Sequence, residues 1–267
     1  MNAQMKDELI RKYLRGEAKF CRVAIFSSLA STNTTAKQMA VDGAPDGTVI
    51  IAEHQSAGRG RMSRTFFSPD GTGLYMSLVI RRALSPKEGM RLTPTAAVAV
   101  AEAIEAVSGR AASIKWVNDV YLDAKKVCGI LTEASISPQT NGSEYAVVGI
   151  GINVAPPQGG FPTEIADVAT AMLDCQAQAQ GMREHLAAEI LNRLMAYLDT
   201  LSSPAILAQY RRRALFLGEK VFVRRMEEQG REAKALDIDE DFRLCVRYED
   251  GTKEALHSGE VSVKRTK

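Results

Sequence analysis

A chain of 267 residues with 45% apolar side chains can bury the core of one large domain or two modest ones, and it has the composition of a globular protein. Its 34 basic and 32 acidic side chains leave a net charge of +2, which excludes a global field drawing it onto nucleic acid or an anionic membrane. Cys21, Cys128, Cys175 and Cys245 are too scattered for a zinc site and too few for a disulfide scaffold; with a charged N-terminus and no run of membrane-spanning length, the expected location is the cytoplasm.

Apolar alternation dominates to about residue 155, helical periods follow, and short strands return in the tail, which predicts an α+β fold with a mixed sheet. The runs "RVAIFSS", "TVIIAEHQ", "GLYMSLVIRR", "SIKWVN", "VCGILTEAS" and "EYAVVGIGINV" read as strands, and the β-branched content of the last two places them centrally. Between them, "STNTTAKQMAVDG" reads as a capped helix ending near Gly43. "TPTAAVAVAEAIEAVSG" reads as a helix with Thr93 as N-cap, Pro94 at its first position and Gly109 past its end. "YLDAKKVCG" reads as a hairpin, and residues near 164–175, 181–201 and 203–214 carry helical patterns. From "LGEKVFVRR" onward strands and turns alternate, with Asp250-Gly251 as a hairpin turn, so a domain boundary is expected near Leu215, giving units 1–214 and 215–267.

Directly after one strand, "AGRGRMSR" (57–64) gathers two glycines and three arginines. Glycines let backbone amides close on an anion, and arginines add fixed forks for phosphate or carboxylate oxygens. The segment lacks the Gly-Lys-Ser/Thr ending of a P-loop, and by itself it fits a solvated turn or an RNA-contacting stretch as well. Flanking aromatics and a basic surround, which RNA binding predicts, are missing.

Three more segments accompany it: "LASTNT" (29–34), "SIKWVNDVYLDAKKVCGILTEAS" (113–135) and "VVGIGINV" (147–154). In order and spacing the four resemble the biotin protein ligases, strongly over residues 22–155. The resemblance is weaker from Leu215, where such ligases carry a small SH3-like β-barrel domain after a mixed-sheet catalytic domain. The resemblance implies an ATP-dependent ligase, with Mg2+, that converts biotin to biotinyl-5'-AMP and passes it to a lysine of a biotin carboxyl carrier domain. It implies biotin contacts from Ser31, Thr32, Asn33 and Gln55, a closing loop at Gly58, Arg59, Gly60 and Arg61, and Lys126 and Gly129 on the carboxylate side. Arg64, Lys115, Asn118, Asp119 and Asn153 fall at the nucleotide, phosphate and magnesium contacts, with Asp119 beside the metal and Arg64, Lys115 and Lys126 supplying catalytic charge.

Two positions depart from that pattern. Val117 stands where the family usually has proline and loses its fixed φ. Phe66 stands where an aromatic, often Trp, is usual, and offers adenine less surface. Too few residues precede Ser31 for the helix-turn-helix domain of repressor members, so DNA binding is not expected. A homodimer is compatible with the resemblance. Lipoate or octanoate transfer is the alternative within this fold class. On bland readings Ser31, Thr32 and Asn33 simply cap a helix, Trp116 is core, Cys128 is an inert buried thiol, and His54, His185 and His257 have no catalytic partner.

Overall fold

A computed structural model of the chain describes residues 4–136, 143–179, 181–225, 230–257 and 261–265. A short helix α1 (Asp7–Tyr13) and a 3-10 turn (Gly16–Phe20) lead into β1 (Arg22–Leu29), α2 (Thr32–Val41), β2 (Thr48–Gln55), β3 (Gly73–Ile80) and α3 (Pro86–Ser108). Then come β4 (Ser113–Lys115), β5 (Asp119–Leu122), β6 (Lys125–Ile136), β7 (Ser143–Asn153), α4 (Met182–Leu198) and α5 (Pro204–Arg213). The seven strands form one mixed sheet in the order β1-β2-β3-β7-β6-β5-β4, parallel only between β1 and β2. β7 is its central strand, as its β-branched run predicts.

Alternation along the strands decides what each face meets. Val49, Ile51, Leu78, Ile80, Val148, Ile150 and Ile152 join the main core, which also takes the buried faces of α3 and α4. Ile50, Val79 and Val147 point the other way and pack with Ala36 and Ala40 of α2. On that second face the residues of β7 shrink along the strand, from Val147 opposite Val79, to Gly149 opposite Ser77, to Gly151, which lies between Tyr75 and Gly129. Helix α2 covers the valines; where the row turns to serine and glycine, the sheet surface is left open as the floor of a cavity.

The tail forms a second sheet of five antiparallel strands, β8 (Lys220–Arg225), β9 (Arg231–Ile238), β10 (Leu244–Tyr248), β11 (Lys253–Leu256) and β12 (Val261–Arg265), ordered β11-β10-β9-β8-β12. Gly251 takes φ +85 in the Asp-Gly turn between β10 and β11. Polar contacts tie it to the first unit: Trp116 Nε1 donates to Phe242 O (2.8 Å), Arg91 Nη2 to Glu240 O (2.9 Å) and Arg211 Nε to Ile238 O (2.7 Å), and Lys87 Nζ pairs with Asp241 Oδ1 (2.9 Å). No helix among the described residues is long and apolar enough to cross a membrane.

Two sequence expectations need correction. Helix α3 begins two turns before Thr93: Ser85 is its N-cap, closing a capping box with Glu88, and Pro86 holds the first turn. Pro94 therefore lies inside the helix, where the buried run from Leu92 to Ile104 outweighs its missing N–H. Residues 164–175 are turns rather than helix, because their backbone groups are used elsewhere. Lys126 N donates to Val168 O (2.8 Å) and Thr170 N to Lys126 O (2.9 Å), which lays the segment along the start of β6.

Candidate functional site

The cavity has a volume of about 170 Å³ and is walled by four separate segments of chain. Its first wall is neutral. Asn33 projects from α2 over Gly149, so closely that a Cβ there would meet Asn33 Oδ1 at 1.9 Å. The Asn33 amide is spent, donating to Leu131 O (3.1 Å) and Glu133 Oε2 (3.1 Å), which turns Oδ1 toward Ser77 Oγ at 2.7 Å. Oδ1 can only accept, so Ser77 donates to it, leaving Thr32 Oγ1, 2.8 Å from Ser77, to direct its own proton to Ser77 or to Gln55 Oε1 at 3.2 Å. Gln55 Oε1 also accepts from Thr32 N (2.8 Å), while Gln55 Nε2 donates to Ser68 Oγ (2.8 Å), which donates to Phe66 O (3.0 Å). Ser31 lines the cavity and occupies the N-cap position of α2, yet its side chain makes no capping bond, so simple capping does not account for it.

The second wall is charged. Asp119 faces Lys115 across the β4–β5 pair and Gly129 across the β5–β6 pair, and its Oδ1 meets Lys126 Nζ at 2.7 Å. Lys115 Nζ sits 3.5 Å from the Tyr121 hydroxyl, and burial pushes that phenol up to about 12. Asn118 is fixed by donating to Ile130 O (3.0 Å) while Ile130 N donates back to Asn118 O (3.0 Å). The Trp116–Val117 peptide within this segment is cis. Behind the wall, Tyr210 donates to Val117 O (3.2 Å) and stacks edge-on with Phe242, whose carbonyl takes the Trp116 proton. Trp116 is thus buried between the wall and the second sheet, close to the core role its alternation suggests, although its edge reaches the cavity.

The glycine-arginine loop arches over both walls. Its tip is a small hairpin, with Arg59 bridged to Thr65 and Gly60 N donating to Arg64 O (2.7 Å). Arg59 Nη1 reaches Glu133 Oε2 (3.1 Å), a carboxylate bonded to Asn33 and not part of the cavity lining, and Arg61 Nη1 reaches Asn118 Oδ1 (2.9 Å) on the charged wall. Burial lowers the Arg61 guanidinium below its ordinary value, nearby Asp119 partly restores it, and the like charge of Arg64 lowers it again. The Phe66 ring lies on the glycine pair of the floor, 2.7 Å from a Cβ built on Gly151 and 3.3 Å from one built on Gly129. A side chain at Gly151 would clash with the ring, and one at Gly129 would press on it.

Fourteen of the residues singled out in the sequence line this one cavity; Gly58 and Asn153 lie outside it. Gly58 is packed at the loop's base, where a Cβ would come within 2.3 Å of Phe66 O. Asn153 faces the 170–172 segment, donating to Thr170 O (3.0 Å) and accepting from Met172 N (2.9 Å). Sequence reasoning missed Ser77 and Glu133. Ser77 interrupts an otherwise apolar strand and Glu133 sits two residues beyond Leu131 on β6; each is a polar residue inside a strand run, a signal that does not say which residues it meets. Cys128 is fully buried, and burial pushes its thiol far above the ordinary range, so it is unreactive. His54 bonds Ser28 (3.0 Å) and His185 stacks on Tyr13.

Residues 25–153 match the biotin/lipoate A/B protein ligase family, and residues 216–264 match the biotin protein ligase C terminal domain. The bifunctional ligase/repressor BirA of Bacillus subtilis (strain 168) is 32% identical over 97% of this chain and 79% of its own. The biotin--[acetyl-CoA-carboxylase] ligase of Mycobacterium tuberculosis (strain ATCC 25618 / H37Rv) is 32% identical over 83% of this chain and 82% of its own. Among solved structures, a biotin protein ligase from Aquifex aeolicus in complex with biotin and ATP superposes with a TM-score of 0.74 at 27% identity, covering 92% of this chain and all of that one. With the two-unit fold, the matched domains and this similarity in hand, the chain belongs to the biotin protein ligase family.

Proposed function

We propose that the neutral wall binds biotin, the charged wall binds ATP, and the product is a biotinylated lysine on a carrier domain in the cytoplasm. The observation that supports this reading best is the juxtaposition itself: a buried, uncharged hydrogen-bonding wall and a cluster of Lys115, Asp119, Lys126, Arg61 and Arg64 share one cavity. An uncharged ureido ring suits the first and a triphosphate the second.

In the first half-reaction a carboxylate oxygen of biotin attacks the α-phosphorus of ATP. The new P–O bond forms as the bond to pyrophosphate breaks, giving biotinyl-5'-AMP. Both reactants are anions, so preorganised positive charge is the chief requirement. Lys126 would exchange part of its contact with Asp119 for the reacting oxygens, with Lys115, Arg61 and Arg64 spreading charge along the phosphates. No side-chain nucleophile is needed. In the second half-reaction the ε-amine of the acceptor lysine attacks the acyl carbon, the bond to AMP breaks and the amide loses a proton. The mixed anhydride is sensitive to water, which gives the loop over the cavity its task.

Among the described residues no group of three or more His, Cys, Asp or Glu gathers to hold a metal. One carboxylate, Asp119, already paired with Lys126, is the donor that would face a magnesium ion brought in with the nucleotide. Such an ion supplies further charge neutralisation on the phosphates, and Asp119 is the residue that would hold it.

The test is exchange of labelled pyrophosphate into ATP by purified protein with magnesium. Exchange that depends on biotin, and is far weaker with lipoate or octanoate, is expected. Equal exchange with lipoate would move the assignment to the other acyl chemistry of the wider family, and transfer assays with a carrier domain would then settle the acceptor.

A further inference from the structure

Glu133 joins the loop to the neutral wall through a single oxygen. Its Oε2 accepts from Asn33 Nδ2 (3.1 Å) and from Arg59 Nη1 (3.1 Å), while Oε1 accepts from Lys37 Nζ (3.0 Å). The carboxylate is 20% exposed, against 45% for Arg59 and 41% for Lys37. The loop's other end is tied through Phe66 O to Ser68 and Gln55, and Gln55 runs through Thr32 and Ser77 back to Asn33. Glu133 therefore closes a ring of hydrogen bonds from the loop, through the wall and back to the loop.

From this geometry we infer that Glu133 is a latch, a positioning residue that seats the glycine-arginine loop and at the same time fixes the orientation of Asn33. The charges explain why a carboxylate is required. Arg59 and Lys37 converge on it from two elements, and without it two cations share no counterion while one Asn33 N–H loses its acceptor and the other keeps Leu131 O. Loop and wall would loosen together. The structural half of this inference stands on the contacts alone; its consequence for biotin rests on the reading of the neutral wall given above.

The experiment pairs limited trypsin digestion of ligand-free protein with steady-state pyrophosphate exchange, on wild type, Glu133→Gln and Glu133→Asp. Cleavage after Arg59, Arg61 and Arg64 should accelerate roughly five- to tenfold in Glu133→Gln, with the KM for biotin rising by a similar factor and kcat changing less than twofold. Glu133→Asp, which keeps the charge, should recover most of both. If Glu133→Gln does not fold, Arg59→Gln breaks the same contact from the exposed side, and cleavage after Arg61 and Arg64 reports opening. Cleavage rates within twofold of wild type in the folded variants overturn the latch. Faster cleavage with an unchanged KM for biotin keeps the latch and removes biotin from the neutral wall.

Discussion

On one side of the cavity Thr32, Asn33 and Ser77 are buried, neutral and bonded to one another; on the other, Lys115, Asn118, Asp119 and Lys126 are half-buried at strand ends. The neutral wall spends its hydrogen bonds internally, so its geometry is set before a ligand arrives, and a ligand must fit that geometry rather than reshape it. The charged wall works at longer range and tolerates some looseness in its side chains, but it is open to screening by salt. Recognition and activation are therefore separable, and each can be broken alone.

The largest effect is expected on the charged side. Lys126→Ala removes the cation nearest the reacting oxygens and should slow adenylate formation about 10²- to 10³-fold, as loss of one preorganised donor does elsewhere. Rapid-quench single turnover at saturating ATP measures it; an unchanged rate would remove Lys126 from the chemistry. On the neutral side, Gly149→Ala puts a methyl 1.9 Å from Asn33 Oδ1 and must displace that side chain. Overpacking of this kind costs about 1–3 kcal/mol. Denaturant unfolding should show that loss together with weakened biotin binding, while ATP binding is preserved.

How the two walls appear in the sequence differs as well. The charged wall is nearly contiguous: "KWVNDVYLDAKK" carries its groups on a hairpin whose period and turn residues are local signals, with Asp123 and Ala124 at φ +46 and +65 in the turn. The neutral wall is assembled by sheet register, which pairs Ser77 with Gly149 and Leu131 with Gly149 over long separations. No local pattern announces that, so Ser77 and Glu133 were missed while Asn33 and Gln55 entered only through the family resemblance. The strands β2 and β3 were legible because both their faces are almost wholly buried and their runs are apolar. The start of α3 was misread because the Thr-Pro pair at 93–94 imitates a helix start better than the true capping box at Ser85 and Glu88 is noticed. The turns at 164–175 keep a helical pattern of apolar residues, but their backbone is claimed by β6.

A moderate effect is expected from acid. Burial raises the Glu133 carboxyl, but the Lys37 and Asn33 hydrogen bonds and the Arg59 charge outweigh it and hold it below its ordinary 4.5. A carboxylate depressed in the folded state contributes stability that is present above the unfolded value and lost as pH falls through the folded one. Hydrogen exchange in residues 57–66, corrected for the intrinsic rate, should be flat above about pH 5 and accelerate in stronger acid, and Glu133→Gln should abolish that dependence. The smallest effect belongs to Trp116→Phe, which deletes the bond to Phe242 O behind the charged wall. It should cost about 1 kcal/mol of stability and raise the KM for ATP a fewfold without altering that for biotin.

The division between the walls is tested most directly by titration calorimetry of biotin and ATP, separately, on wild type, Asn33→Ala and Lys115→Ala at low and high salt. Asn33→Ala should weaken biotin roughly 5- to 150-fold and leave ATP unchanged, Lys115→Ala should do the reverse, and salt should weaken ATP more than biotin. If Asn33→Ala weakens both ligands equally, or salt weakens biotin as much as ATP, the two walls do not have separate tasks.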